Sequence, residues 1–135
     1  GREIVPMAGE KLPRPVVLVV DDEPLVRWSL SEGLTEKGYC VRQAATGAEA
    51  RDLIEASLGE PLVIVLDLRL PDVVDLSLLR DIRARRPDAP VVMMSAHGTD
   101  EDARSARRVG AFRFVTKPFD VGEMVDFVRD AWAPT

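Results

Sequence analysis

Two stretches decide the fold: Val16-Val-Leu-Val-Val-Asp-Asp22 and Leu62-Val-Ile-Val-Leu-Asp67. Each is an unbroken apolar, largely β-branched run that ends abruptly in carboxylates. A strand with one wet face alternates apolar and polar residues, whereas a strand covered on both faces does not. These runs therefore read as interior strands of a parallel sheet. Three further runs join them: Tyr39 to Ala44, more polar and so expected at an edge, Val91 to Met94, and Phe112 to Val115.

Helix-like segments lie between the runs. Pro24 to Lys37 opens with proline in its first turn and stops at Gly38. Leu25, Trp28 and Leu34 are expected near one face. Thr46 to Leu58 carries Ala48, Ala50, Leu53, Ile54 and Ala56 at near-helical spacing. Leu76 to Arg85 turns Leu78, Leu79 and Ile82 inward and ends before Pro87. Asp100 to Val109 begins acidic and ends basic, as the helix dipole favours, and Gly110 stops it. Val121 to Trp132 closes the pattern, with Met124, Phe127, Val128 and Ala131 on one stripe. The Arg83, Arg85, Arg86 cluster reads as a solvated helix end. Five β-α units with short connections predict a doubly wound α/β sheet with right-handed crossovers.

Composition sets the bounds. The chain has 135 residues, of which 46% are hydrophobic and 30% charged, enough for one domain with a sizeable core. Its net charge of −5 argues against a broad basic face that grips nucleic acid. Residues 1–15 lack periodicity and are expected to be a flexible lead-in to a domain over 16–135. The single cysteine, Cys40, has no internal disulfide partner; it is expected to be a small buried or half-buried residue and fits a reducing, cytoplasmic setting. No apolar run approaches the length of a membrane span.

In a parallel α/β sheet the working groups collect at the carboxyl ends of the strands. Here those ends read Asp21-Asp22, Asp67, Ser95 and Lys117. Taken singly, each has a plainer reading: an aspartate after a strand is commonly a turn former or helix cap, and a lysine is commonly a solvated charge. Together they suit phosphoryl transfer. Crowded carboxylates repel unless a cation intervenes, and a hard ion such as Mg²⁺ prefers such oxygens. Asp67 is the candidate nucleophile, because a carboxylate can accept a phosphoryl group as an acyl phosphate. Lys117 would offset charge on the transferring oxygens, and Ser95 would hydrogen-bond one of them.

The stretches VVLVVDDEP (Val16 to Pro24), VIVLDLRLPD (Val63 to Asp72), VVMMSAHG (Val91 to Gly98) and GAFRFVTKPF (Gly110 to Phe119) resemble the receiver domains of bacterial two-component response regulators. The resemblance covers Val16 to about Trp132. It implies a flavodoxin-like, five-stranded parallel sheet in order 2-1-3-4-5 flanked by five helices. It makes Asp67 the phosphoacceptor, Asp22 a direct Mg²⁺ ligand, Asp21 a ligand partly through water, and the backbone carbonyl of Arg69 a further metal oxygen. Ser95 becomes the switch hydroxyl, Phe114 the switch aromatic and Lys117 the phosphate-pairing lysine, with a cis bond to Pro118. The side chains of Arg69 and His97 take the positions that set phosphoryl lifetime. The implied donor is a sensor histidine kinase. The implied output surface is the face of the fourth helix, fifth strand and fifth helix, roughly Thr99 to Trp132, which also serves for homodimers.

The loop after Pro71 departs from the family pattern. Asp75 stands where glycine is usual, and it is expected to cap the third helix. The stretches SAHGT and GAFRFVTKPFD resemble receivers of the nitrogen-regulator type, which precede a sigma-54-activating ATPase and a DNA-binding domain. On that reading the chain is an excised receiver, DNA is met only by a domain beyond it, and no membrane is involved. A stand-alone receiver acting by protein contact, as in chemotaxis or a phosphorelay, is the alternative. Phosphatases of the haloacid dehalogenase kind also use an aspartate nucleophile, but they place a second aspartate where this chain has Arg69. A degenerate receiver would lack members of the acidic set, Ser95 or Lys117.

Overall fold

The structure, a computed structural model, describes residues 14–133. Five parallel strands, β1 (Val16–Val20), β2 (Cys40–Ala44), β3 (Leu62–Asp67), β4 (Val91–Ser95) and β5 (Arg113–Thr116), form one sheet in the order β2-β1-β3-β4-β5. Helices α1 (Pro24–Glu36), α2 (Gly47–Ala56), α3 (Ser77–Arg85), α4 (Asp100–Val109) and α5 (Val121–Trp132) alternate with them. The expected fold class and strand order are those observed. The expected lead-in falls mostly on residues 1–13, which lie outside the described residues. Its last residues are packed: the Arg14 guanidinium lies 5.1 Å from the Tyr39 ring centroid, and Pro15 is buried.

The unbroken apolar runs are explained by two cores, one on each face of the sheet. Val16, Leu18 and Val20 of β1 with Leu62, Ile64 and Leu66 of β3 point to the face covered by α2, α3 and α4, where Ile54, Leu78, Leu79, Ile82 and Ala106 are buried. Val17, Val19, Val63 and Val65 point the other way, against Leu30 and Leu34 of α1 and Met124, Val125 and Val128 of α5. Helix ends follow their local chemistry. Thr99 and Asp102 form a reciprocal capping box on α4, and Gly110 ends that helix in the left-handed region.

Four expectations need correction. On α1, Leu34 is buried, but Leu25 is 72% and Trp28 59% exposed. The inward stripe is instead Val26, Leu30 and Leu34, spaced four apart, so the aromatic falls on the outer side. Cys40 is exposed, because it opens the edge strand β2. Asp75 does not cap α3: the cap position is Leu76, with no side-chain hydrogen bond, and Asp75 adopts a left-handed backbone at φ 46°.

The fourth correction concerns Arg86, which is buried rather than solvated. Its guanidinium donates to the carbonyls of Ser57 (3.1 Å) and Glu60 (2.7 Å) and to both carboxylate oxygens of Asp88 (3.1 Å each). It ties the α2–β3 loop to the α3–β4 loop at the amino ends of the strands. Replacing it with leucine would leave the Glu60 carbonyl without its donor, at a cost of about 1–3 kcal/mol for an unmet buried acceptor, while the Ser57 carbonyl keeps the Glu60 N–H at 3.0 Å. Arg86→Leu is therefore expected to lose about 2 kcal/mol of stability in urea unfolding; a loss within experimental error would show that the arginine is dispensable.

Candidate functional site

The sheet register builds the site. Val20 of β1 is paired with Leu66 of β3, so the next residues, Asp21 and Asp67, reach the carboxyl edge side by side. On the other side of β3, Asp67 is paired with Met94, which puts Ser95 one step further along β4. Ser95 is paired with Thr116 of β5, and Lys117 follows. The backbone N–H of Lys117 donates to the Ser95 carbonyl at 2.8 Å. The Lys117–Pro118 bond is cis.

Asp21, Asp22 and Asp67 each offer a carboxylate oxygen, and these oxygens lie within 4.8 Å of one another. Asp21 and Asp67 are buried, while Asp22 is exposed at the mouth. Asp21 is held from three sides. Its Oδ1 accepts from the backbone N–H of Glu23 at 2.8 Å. Its Oδ2 accepts from Lys117 Nζ at 2.7 Å. Its carbonyl accepts from the Arg27 guanidinium at 2.7 Å. Lys117 Nζ also stands 3.7 Å from Asp67 Oδ1 and 3.5 Å from a Glu23 oxygen. Asp67 Oδ1 also accepts a long hydrogen bond from the Arg69 N–H at 3.5 Å.

The electrostatics follow from this packing. Burial, and after it the charge of Asp21, raises the Asp67 pKa to about 6, against the opposing pull of Lys117 and the Arg69 N–H. Burial pulls the Lys117 ammonium down, but the Asp21 hydrogen bond and the charges of Asp67, Asp21 and Glu23 outweigh it, so its pKa is raised. Three carboxylates against one lysine leave a net negative pocket of hard oxygen donors. That chemistry fits a divalent cation of the Mg²⁺ or Ca²⁺ kind better than a soft metal.

Residues 17–129 match the family model for the response regulator receiver domain. The chain belongs to that family. Among its relatives, the DNA-binding transcriptional regulator NtrC of Escherichia coli is 37% identical over 118 residues, which make up 87% of this chain and 25% of that protein. The response regulator protein PilR of Pseudomonas aeruginosa is 40% identical over 119 residues, 87% of this chain and 26% of that one. The crystal structure of the NtrX receiver domain from Brucella abortus superposes with a TM-score of 0.78 at 35% identity, covering 85% of this chain and 96% of that one. The receiver spans about a quarter of the length of its curated relatives NtrC and PilR. These names agree with the nitrogen-regulator resemblance of its sequence.

The remaining residues singled out in this receiver sit around the cluster. Ser95 is fully buried, and its Oγ accepts from the His97 N–H at 3.3 Å. The Arg69 and His97 side chains are both exposed. Phe114 is half-buried against the core on the α4 side. Its ring lies so close to Gly98 that a Cβ there would overlap its Cε1 atom. Two participants escaped the sequence reading. Glu23 reaches Lys117, and its place in the DDE run was the available signal. Arg27 grips the Asp21 carbonyl, and no local pattern announces that contact. Among the described residues, no helix is long and apolar enough to cross a membrane.

A folded carboxyl pKa of about 6 has a signed consequence. Between the ordinary aspartate value near 4 and that value, the folded chain holds a proton that the unfolded chain has released. The associated stability is present below about pH 4 and is lost as pH rises through about 6. Metal-free Asp67→Asn is expected to lack this slope and to be about 1–2 kcal/mol more stable than wild type at pH 7. Urea unfolding at pH 4.5 and 7 tests it; parallel curves for the two proteins would contradict the shift.

Proposed function

We propose that this receiver is a phosphorylation switch in which Asp67 accepts a phosphoryl group from a phosphohistidine on a sensor kinase. The observation that carries the reading is the convergence of Asp21, Asp22 and Asp67 within 4.8 Å, with Lys117 Nζ beside two of them. A carboxylate oxygen of Asp67 attacks phosphorus, the bond from phosphorus to the imidazole nitrogen breaks, and the histidine, already protonated on its other ring nitrogen, takes the bonding pair and leaves as neutral imidazole. The product is an acyl phosphate. Asp21, Asp22, Asp67 and the Arg69 carbonyl would hold Mg²⁺, which when bound supplies charge neutralisation to the transferring oxygens. Lys117 stands 3.7 Å from Asp67 and would pair with a phosphoryl oxygen. Ser95, one strand over, would donate its hydroxyl to another.

The Asp67 side chain is 6% exposed, so the donor must reach it through the mouth of the pocket. A groove of about 510 Å³ opens there, lined by Glu23, Leu25, Val26, Lys117, Pro118 and Phe119 among others. Exposed Leu25 offers apolar contact beside the acidic mouth. The switch would proceed by Ser95 moving to the phosphoryl group and Phe114 following it inward, shifting a pre-existing equilibrium of the α4–β5–α5 face. Phe112 (45%) and Trp132 (36%) are exposed apolar residues in that region. The output would be transcription through an attached ATPase and DNA-binding module of the sigma-54 type, as the nitrogen-regulator resemblance implies; the relative NtrC is named a DNA-binding transcriptional regulator. The same face would serve a homodimer.

Acetyl phosphate with Mg²⁺ tests the core claim. Mass spectrometry is expected to find one phosphoryl group on Asp67 in wild type and none in Asp67→Asn. Lys117→Ala is expected to react about 100-fold more slowly. A folded wild-type protein that never acquires the group would make this a degenerate receiver. A second expectation concerns Arg69, whose bulky side chain beside the pocket would hinder an attacking water. Arg69→Ala is expected to release phosphate faster than wild type, and equal decay rates would remove that role.

A further inference from the structure

A free helix N-terminus presents N–H groups that need acceptors, and α2 meets this need in an unusual way. Its own cap, Thr46, covers one: the side chain accepts from the Glu49 N–H at 3.1 Å. The N–H groups of Gly47 and Ala48 go elsewhere in the sequence. Asp72, in the β3–α3 loop, accepts the first on Oδ1 at 2.8 Å and the second on Oδ2 at 3.0 Å. Both bonds are charge-assisted, and the helix dipole favours a carboxylate there. Contact is close as well as polar: a Cβ on residue 47 would overlap Val73 Cγ2, so glycine lets the loop settle onto the helix.

The clamp lies a short step from the pocket. The Val73 N–H donates to the Leu70 carbonyl at 3.2 Å, closing a turn over Leu70 to Val73. Arg69 immediately precedes that turn, and its N–H faces Asp67 Oδ1. On the far side of the clamp, Asp75 holds a backbone conformation that glycine would adopt more readily. The loop is therefore fixed by bonds to a neighbouring helix rather than by its own backbone preference.

We propose that Asp72 is a positioning residue for the acceptor site: it latches the β3–α3 loop to α2 and so sets where the Arg69 backbone lies beside Asp67. The proposal rests on the acceptor reading above for its functional part and on the two hydrogen bonds for its structural part. Asp72→Ala removes both acceptors, and Asp72→Asn keeps one.

Hydrogen exchange without Mg²⁺ reads the latch directly. In Asp72→Ala, amides 47 and 48 and amides 68–70, 72 and 73 are expected to exchange faster together, by about tenfold, with Asp72→Asn between it and wild type. Calorimetric titration with Mg²⁺ reads the consequence, an expected tenfold weaker affinity in Asp72→Ala, again with Asp72→Asn intermediate. Far-UV circular dichroism confirms that each variant is folded. Exchange that rises only at 47 and 48, or not at all, overturns the latch. Wild type that binds Mg²⁺ while Asp72→Ala binds it equally well overturns the positioning role alone. Wild type that binds no Mg²⁺ overturns the acceptor reading and the role built on it.

Discussion

The parallel pairing of β1 with β3 is the constraint on which the site depends. It sets Val20 opposite Leu66, and therefore brings Asp21 and Asp67 to the sheet edge together. Two carboxylates a few ångströms apart repel by about 3 kcal/mol at an effective dielectric near 20. Nothing local would hold them so close. The two apolar cores do, since β1 and the apolar residues of β3 are buried on both faces and fix the register against slippage. Lys117, delivered from β5 on the far side of β4, offsets part of the repulsion. Burial first, and the remaining repulsion from Asp21 second, raise the pKa of Asp67. The pocket is thus a stored electrostatic imbalance that a divalent cation would relieve.

The two ends of the sheet are built for different ends. At the carboxyl edge, like charges crowd, Asp75 adopts a left-handed backbone and Asp67 is met by a long hydrogen bond from the Arg69 N–H. At the amino edge a charged network is paired. Arg86 joins two loops through carbonyls, and Ser57 accepts from Arg42 while donating to the Leu53 carbonyl. Arg42 in turn pairs with Glu60 at 2.7 Å. Satisfied polar networks rigidify, whereas partly satisfied ones store free energy. The proposed switch would need both: a fixed frame, and a region whose arrangement a new charge can tip.

Much of this was legible along the chain. The unbroken runs of β1 and β3 carry no alternation, and only burial on both faces tolerates that. The acids, the serine and the lysine that end four of the strands were each visible, because strand ends are local features. Less visible were features set by contacts distant in sequence. Trp28 faces out because the inward stripe of α1 is spaced through Val26, Leu30 and Leu34, a choice made by the partner helix α5 and the sheet. Arg86 reads as a solvated charge until the carbonyls of Ser57 and Glu60 arrive around it.

The sequence by itself determined the order of strands and helices, the two-faced burial of the sheet and the residue types at its carboxyl edge. It did so because hydrophobic periodicity and helix-end chemistry act over a few neighbouring residues. Tertiary structure alone decided the distances: that three carboxylates share one pocket, that Lys117 bonds Asp21 more closely than Asp67, and that Asp72 caps a helix 24 and 25 residues away. Those outcomes depend on strand register and on how loops from separate units pack together. No local pattern encodes them, because each partner is chosen by the packing of the whole sheet.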